Sequence, residues 1–238
     1  MSLEKVSVII PCRNEFGSLI FSVPFMSVAC NSIGEVLIVA DSSEDDSFKV
    51  REFFSFQNFD IKYLVNSEVG VFGAIKTGVD SARFDKCLVI PADELVPIIK
   101  IDEMVNCLTT TIRFVSATRN SCGGRRFGGN TFGKFFSNSG NLFLRFLYPG
   151  TITDFTTGIK AFYKKDWAII SEDADGKGWS CALVFALNAI RNDLGICQVP
   201  VTSVDRFAGG QSSFSLFGWM WSYLRVLFNG YSADSVRK

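Results

Sequence analysis

Histidine is absent from this 238-residue chain. Without an imidazole no Ser-His-Asp or Cys-His set can be built, so acids, lysines, arginines and backbone amides must carry any chemistry. Paired cysteines are missing too. Cys12, Cys30, Cys87, Cys107, Cys122, Cys181 and Cys197 lie far apart with no Cys-x-x-Cys spacing. That pattern excludes a zinc ribbon or a disulfide framework and fits reduced thiols used as small apolar side chains. Net charge is also lacking: 24 Lys plus Arg balance 24 Asp plus Glu, which argues against nucleic acid as the main partner. No apolar run reaches the roughly 18 residues that a bilayer span needs. No signal peptide is expected, since Met1 to Lys5 leads straight into a strand-like run, and there is no internal repeat or low-complexity tract. A cytoplasmic protein is expected.

What is present is apolar substance, 47% of the chain, enough for one large domain. Val6–Pro11, 35–40, 61–65 and 87–90 read as strands rich in β-branched residues, with helices expected at 17–30 (kinked or restarted at Pro24), 45–56, 70–83 and 98–110. A strand at 112–118 closes the first half. Alternation of this kind implies a mostly parallel sheet with right-handed crossovers. The second half is less regular. Residues 120–131 hold four glycines and two arginines and read as a flexible loop, followed by a Phe-rich helix at 132–147, a strand at 158–163, a helix at 178–192 and a strand at 196–201. A second glycine-rich loop, 205–213, precedes a tail, 214–231, of Phe, Trp, Leu and Met with Arg225 as its only charge. The tail suits either a helix docked on the core or an amphipathic helix in a membrane interface.

The stretch Lys86-Cys87-Leu88-Val89-Ile90-Pro91-Ala92-Asp93-Glu94 stands out, because a strand buried on both faces would surface at its acids. Ligands of open α/β sheets bind beyond the carboxyl ends of the strands, which makes Asp93 a site candidate rather than only a solvated loop acid. Asp41 and Glu15 follow apolar runs in the same way.

The order of these motifs resembles family-2 glycosyltransferases, and most of all the dolichol-phosphate mannosyltransferase or polyprenyl-phosphate group. The resemblance rests on Val8-Ile9-Ile10-Pro11-Cys12-Arg13-Asn14-Glu15, on Asp41-Ser42-Ser43-Glu44-Asp45, and on Gly70-x-x-Gly73-Ala74-x-Lys76-x-Gly78. Thr118-Arg119, Asp154-Phe155-Thr156-Thr157-Gly158 and Val199-Pro200-Val201-x-x-Val204-Asp205-Arg206 continue it. It implies a single-domain α/β glycosyltransferase-A fold over 1–213, with 214–238 as the amphipathic helix. It implies an inverting transfer of a hexose from a nucleotide diphosphate-sugar to a polyprenyl phosphate, at the cytoplasmic face of a membrane reached by peripheral contact or through a membrane partner protein.

On that resemblance the nucleoside falls to Asp41, Glu15, Arg13 and the backbone near Pro11. Gly70, Gly73 and Lys76 shape the nucleotide pocket, and Arg119 and Arg206 hold phosphates. Asp154 orders the acceptor side or the sugar. A divalent metal, Mg²⁺ or Mn²⁺, is implied on Asp93 with Glu94 second, to stabilise the departing diphosphate.

Several residues depart from the family pattern. The usual Asp-x-Asp metal motif reads Pro91-Ala92-Asp93, Gly-Phe-Arg reads Gly158-Ile159-Lys160, and the terminal lysine of the Arg-x-x-Gly-x-Ser-Lys ending is missing from Arg206–Ser213. The stretch Gly178–Phe185, where an acid base would be expected, holds no carboxylate. A phosphate acceptor is already anionic and needs none. The rival expectations are transfer to a sugar hydroxyl in surface polysaccharide synthesis and a non-catalytic nucleotide-sugar-binding protein.

Overall fold

Seven consecutive buried residues, Val6–Cys12, form strand β1. It is flanked by two parallel neighbours, β2 (Ile33–Ala40) and β4 (Lys86–Val89), so both its edges and both its faces are covered. β3 (Asp60–Val65) pairs with β2, again in parallel. Beyond β4 the antiparallel strand β7 (Lys160–Tyr163) separates it from β5 (Phe114–Thr118), which pairs in parallel with β8 (Ile196–Pro200). The sheet order is β3-β2-β1-β4-β7-β5-β8, a mostly parallel seven-stranded sheet. The computed structural model describes residues 4–54, 58–68, 70–128, 131–174 and 178–204. The tail at 214–238 lies outside them. Among the described residues no helix is long and apolar enough to cross a membrane.

Alternation along the strands divides the core in two. Val6, Val8, Ile10, Val36 and Ile38 meet α1 (Phe16–Ala29) and α3 (Ile101–Cys107) on one face. Ile9, Leu37, Val39, Cys87 and Val89 meet α2 (Val71–Ser81) and α6 (Ser180–Arg191) on the other. α1 buries Leu19, Ser22, Val23 and Met26 at helical spacing and continues through Pro24, which removes one amide donor without ending it.

Three expectations are corrected, and one segment without an expected element gains structure. The helix expected at 45–56 is a 3-10 turn, Asp46–Glu52. Its polar side chains are drawn to the loop after β1 instead: the Asn14 amide donates to both Asp45 oxygens (3.0 and 3.1 Å), the Glu15 amide to Ser47 Oγ (2.9 Å) and the Phe16 amide to Asp46 Oδ1 (3.3 Å). The helix expected at 98–110 opens as a 3-10 turn, Val96–Lys100, before α3, with Pro97 at its start. The glycine-rich segment 120–131 contains a short strand, β6 (Arg125–Phe127), paired in parallel with β9 (Thr202–Val204). Finally, the chain after β7 makes a 3-10 turn (Lys164–Asp166) and a short helix, α5 (Trp167–Ile170), before α6.

α2 lies against β1 with no spare room at Gly78, where a Cβ would come within 2.5 Å of Ile9 Cγ2. Ile9 is β-branched and fully buried, so it cannot swing aside. Gly78→Ala is therefore expected to overpack this contact at a cost of about 1–3 kcal/mol. Thermal denaturation should show a midpoint lowered by several degrees.

Candidate active site

The chain runs from β1 outward to β2 and β3, then crosses back to β4 on the other side of β1. The connections reverse between β1 and β4, and the crevice beyond their carboxyl ends is the place where such sheets bind ligands. Pro11 sits within β1 opposite Val39, past the last β1–β4 register pair at Ile9, so its missing amide costs that pairing nothing. Asn14 then turns the chain with φ 56°, a left-handed conformation that asparagine tolerates. An open cavity of about 330 Å³ lies here, lined by Arg13, Asn14, Asp41, Ser42, Glu44 and Asp45.

Asp41 is held rather than loose. Its Oδ1 accepts from Asn66 Nδ2 (2.7 Å) and from the Gly70 amide (3.2 Å), and the Asn66 amide donates to the Ala40 carbonyl (2.8 Å). One asparagine thus ties the ends of β2 and β3 to the start of α2. Gly70 has φ 105° and ψ 175°, a conformation essentially limited to glycine. A Cβ at Gly73 would lie 1.9 Å from the Glu68 carbonyl oxygen. Both glycines therefore permit the tight entry into α2.

Across the crevice, Pro91 to Glu94 form a turn closed by the Glu94 amide on the Pro91 carbonyl (3.2 Å), with Asp93 half-buried. The Glu94 carboxylate accepts from Ser203 Oγ on β9 (2.7 and 2.9 Å). Behind the turn Pro91, Gly158 and Trp179 meet: a Cβ at Gly158 would stand 2.6 Å from the Trp179 ring and 3.1 Å from Pro91 Cγ. Trp179 caps α6 at its amino end. The residue that replaces the first metal-motif acid is thus packed into an apolar wall.

Next to that wall is a buried polar cluster. Asp154 is fully buried and accepts from Arg119 Nε (2.7 Å), Nη2 (3.1 Å) and amide (3.2 Å), from Asn141 Nδ2 (3.2 Å) and from the Thr156 hydroxyl (3.0 Å). Asn141 belongs to α4 (Thr131–Leu147), and its Oδ1 accepts from the Phe155 amide (2.8 Å). Burial works to raise the Asp154 pKa, but the Arg119 charge and hydrogen bonds, joined by the charge of Lys160, outweigh it and hold the carboxyl at about 2. Lys160 is also fully buried, with Nζ donating to Ser116 Oγ (2.7 Å). Burial pushes its pKa down to about 7; Asp154 pulls it up and Arg119 pushes it down.

Residues 7–169 match the model for glycosyl transferase family 2, more than half of the chain. The chain belongs to that family. It is a nucleotide-sugar glycosyltransferase, with the expected single-domain α/β architecture. Solved structures of similar fold include glucosyl-3-phosphoglycerate synthase from Mycobacterium tuberculosis with Mn²⁺, UDP and glucosyl-3-phosphoglycerate. That match has a TM-score of 0.67 and 16% identity, covering 94% of this chain and 77% of that one. The same enzyme with Mn²⁺, UDP-glucose and phosphoglyceric acid matches with TM-score 0.65 and 15% identity, covering 94% of this chain and 77% of that one. A mycobacterial protein matches with TM-score 0.68 and 17% identity, over 95% of this chain and 74% of that one. At such identities the likeness is one of fold.

In this glycosyltransferase the expected residues separate into two groups. Pro11, Arg13, Asp41, Gly70, Gly73 and Asp93 lie at or beside the carboxyl ends of β1, β2, β3 and β4. The others are turned to different work. Glu15 opens α1 and its carboxylate accepts from Ser18 Oγ (2.8 Å). Lys76 is ion-paired with Glu68, and both side chains are exposed. Glu94 is bonded to Ser203, and Arg119 is ion-paired with Asp154. Asp154, with no exposed surface, cannot touch a sugar. Arg206 lies outside the described residues. Sequence reasoning did not pick out Asn66, Asn141 or Trp179 at all. For Asn66 there was a usable signal, an Asn-Ser pair just after a strand, where side-chain-to-backbone turns are common.

Two outcomes follow from the buried cluster. Asp154→Ala removes the carboxylate that faces Arg119, whose side chain is only 11% exposed, and should cost about 3–5 kcal/mol of stability in chemical denaturation. Lys160 takes up its proton more readily unfolded, near 10.5, than folded, near 7, so its contribution makes stability rise with pH across that window. Lys160→Met should remove this rise when melting midpoints of the two proteins are compared from pH 7 to pH 10.

Proposed function

We propose that this glycosyltransferase moves a hexose from a nucleotide diphosphate-sugar to a polyprenyl phosphate, with inversion at the anomeric carbon. The observation that carries the acceptor choice is the wall of Pro91, Gly158 and Trp179. It lies at the amino end of α6, and residues 178–185 bring no carboxylate to it. A hydroxyl acceptor would have no base there, whereas a phosphate oxygen is already a nucleophile. The nucleoside is assigned to the cavity of Arg13, Asn14 and Asp41, and the diphosphate to the crevice between β1 and β4.

Mg²⁺ or Mn²⁺ fits this site only as a thinly held ion. Among the described residues no three Asp, Glu or Cys side chains cluster closely enough to hold a metal. Asp93 would supply one carboxylate, diphosphate oxygens and water the remaining positions, an arrangement that magnesium accepts. When bound, the ion stabilises charge on the departing diphosphate. The mycobacterial synthase, solved with Mn²⁺ or Mg²⁺ and UDP, supports this reading. Its UDP-glucose complexes make UDP-glucose the first donor to try.

The phosphoglyceric acid in that synthase favours one second reading, a small soluble acceptor bearing a phosphate. The test has two stages. Thermal shift with nucleoside diphosphates, with and without Mn²⁺, should raise the midpoint in a base-selective, metal-dependent way, and Asp93→Ala should abolish the metal dependence. Metal-dependent binding that survives in Asp93→Ala would remove that residue from its role. Labelled donor should then pass its sugar to undecaprenyl phosphate with inverted configuration. Label found only in 3-phosphoglycerate would transfer the reading to the soluble acceptor.

A further inference from the structure

Helix α4 has two sharply different sides. Ser137, Asn141, Leu144 and Tyr148 follow one another at helical spacing and face the protein. Ser137 Oγ lies 2.8 Å from Thr156 Oγ1, Asn141 binds Asp154, and Asn141 and Leu144 are each 2% exposed. On the opposite side Phe135, Leu142, Phe143 and Phe146 are exposed by 66, 69, 50 and 81%. Spacings of seven, eight and eleven residues put all four on one stripe. Leu142 and the rings of Phe143 and Phe146, each at least half exposed along one helix face, mark a contact surface rather than scattered exposure.

The charge around the stripe says what it meets. Between Glu103 and Asp154 the chain contains no acid, while Arg113, Arg119, Arg125, Arg126, Lys134 and Arg145 fall within that interval. Arg113 and Arg119 are neutralised internally by Asp166 and Asp154, but Arg125 and Arg145 are exposed. Phe127, four residues before α4 in the chain, is also 50% exposed. An apolar face on a helix that carries Lys134 and Arg145 and no acid matches the surface of an anionic bilayer. A protein partner of ordinary composition gives no such reason for the absence of acids.

We infer that the outer face of α4 is a membrane-docking surface, which seats Phe135, Leu142, Phe143 and Phe146 among the acyl chains of an anionic lipid surface. The inference stands on α4 alone but deepens the polyprenyl-phosphate reading on which its purpose rests. The inner face of the same helix holds Asp154 and Thr156, so docking would set the acceptor side of the crevice at the lipid boundary.

The test uses the full chain and sedimentation with vesicles of phosphatidylcholine plus phosphatidylglycerol, against phosphatidylcholine alone. The wild type should bind the anionic vesicles, more weakly as salt rises. A combined Leu142→Ser, Phe143→Ser, Phe146→Ser variant should lose about tenfold or more of this partition. Its melting midpoint in the absence of lipid, and its transfer to a short polyprenyl phosphate in detergent, should be unchanged. Unchanged vesicle binding by the variant would overturn the proposal by placing the contact elsewhere, as in the Trp-rich stretch after residue 214. A drop of many degrees in its melting midpoint would overturn it by showing the stripe already covered by the protein's own chain. A shift from dimer to monomer in ultracentrifugation would do so by showing a second copy there. If stripe-dependent vesicle binding is found without any transfer to polyprenyl phosphate, the acceptor reading fails and the docking surface stands. Transfer without stripe-dependent binding removes the docking surface alone.

Discussion

The carboxylate of Asp154 has no contact with water, and a buried charge of this kind persists only where donors surround it. They come from the loop after β5 through Arg119, from α4 through Asn141 and from its own turn through Thr156. Three segments far apart in sequence are therefore obliged to converge on one side of the crevice. The strand that follows, β7, carries Lys160 into the same interior, while Gly158 between them allows Trp179 and Pro91 to close up. Removing the carboxylate would dissolve the reason for this convergence. The acceptor side is thus a polar network with one centre.

The donor side is built on other terms. Close approach of backbone dominates there: Gly73 against the Glu68 carbonyl, Gly78 against Ile9, and Gly70 in a conformation that side chains resist. Asp41 is oriented by Asn66 and the Gly70 amide, so its position follows from where β2, β3 and α2 end. Mutations would show the contrast: steric changes harm the donor side, whereas charge changes harm the acceptor side.

The strands were legible because a parallel strand covered on both faces is a continuous apolar run, and residues 8–12 and 36–40, inside β1 and β2, are such runs. The same reasoning put Asp41 and Asp93 at strand ends. What sequence could not supply was the partner of each charged group. Arg119 reads as a phosphate ligand until Asp154, 35 residues on, is seen to neutralise it. Lys76 reads as a pocket residue until Glu68 claims it across the first turns of α2. β6 and β9 are three residues each and pair across a long separation, so no local periodicity reveals them. The 3-10 turn at Asp46–Glu52 was misread for a related reason, since Asp45, besides capping this turn at the Ser47 amide, accepts from Asn14 in the loop after β1, and Asp46 accepts from Phe16.

Glu94 and Ser203 are 109 positions apart, yet their bond fastens the turn that carries Asp93. Strands β1, β2 and β4 and their crossovers all precede that turn and are synthesised before β9. The strands around the switch point are therefore all made while the crevice still lacks one of its parts. Only when β9 leaves the ribosome and settles beside β6 does Glu94 gain its hydroxyl partner. Order of synthesis becomes order of completion: the last described strand is the latch on a site whose other parts are made much earlier.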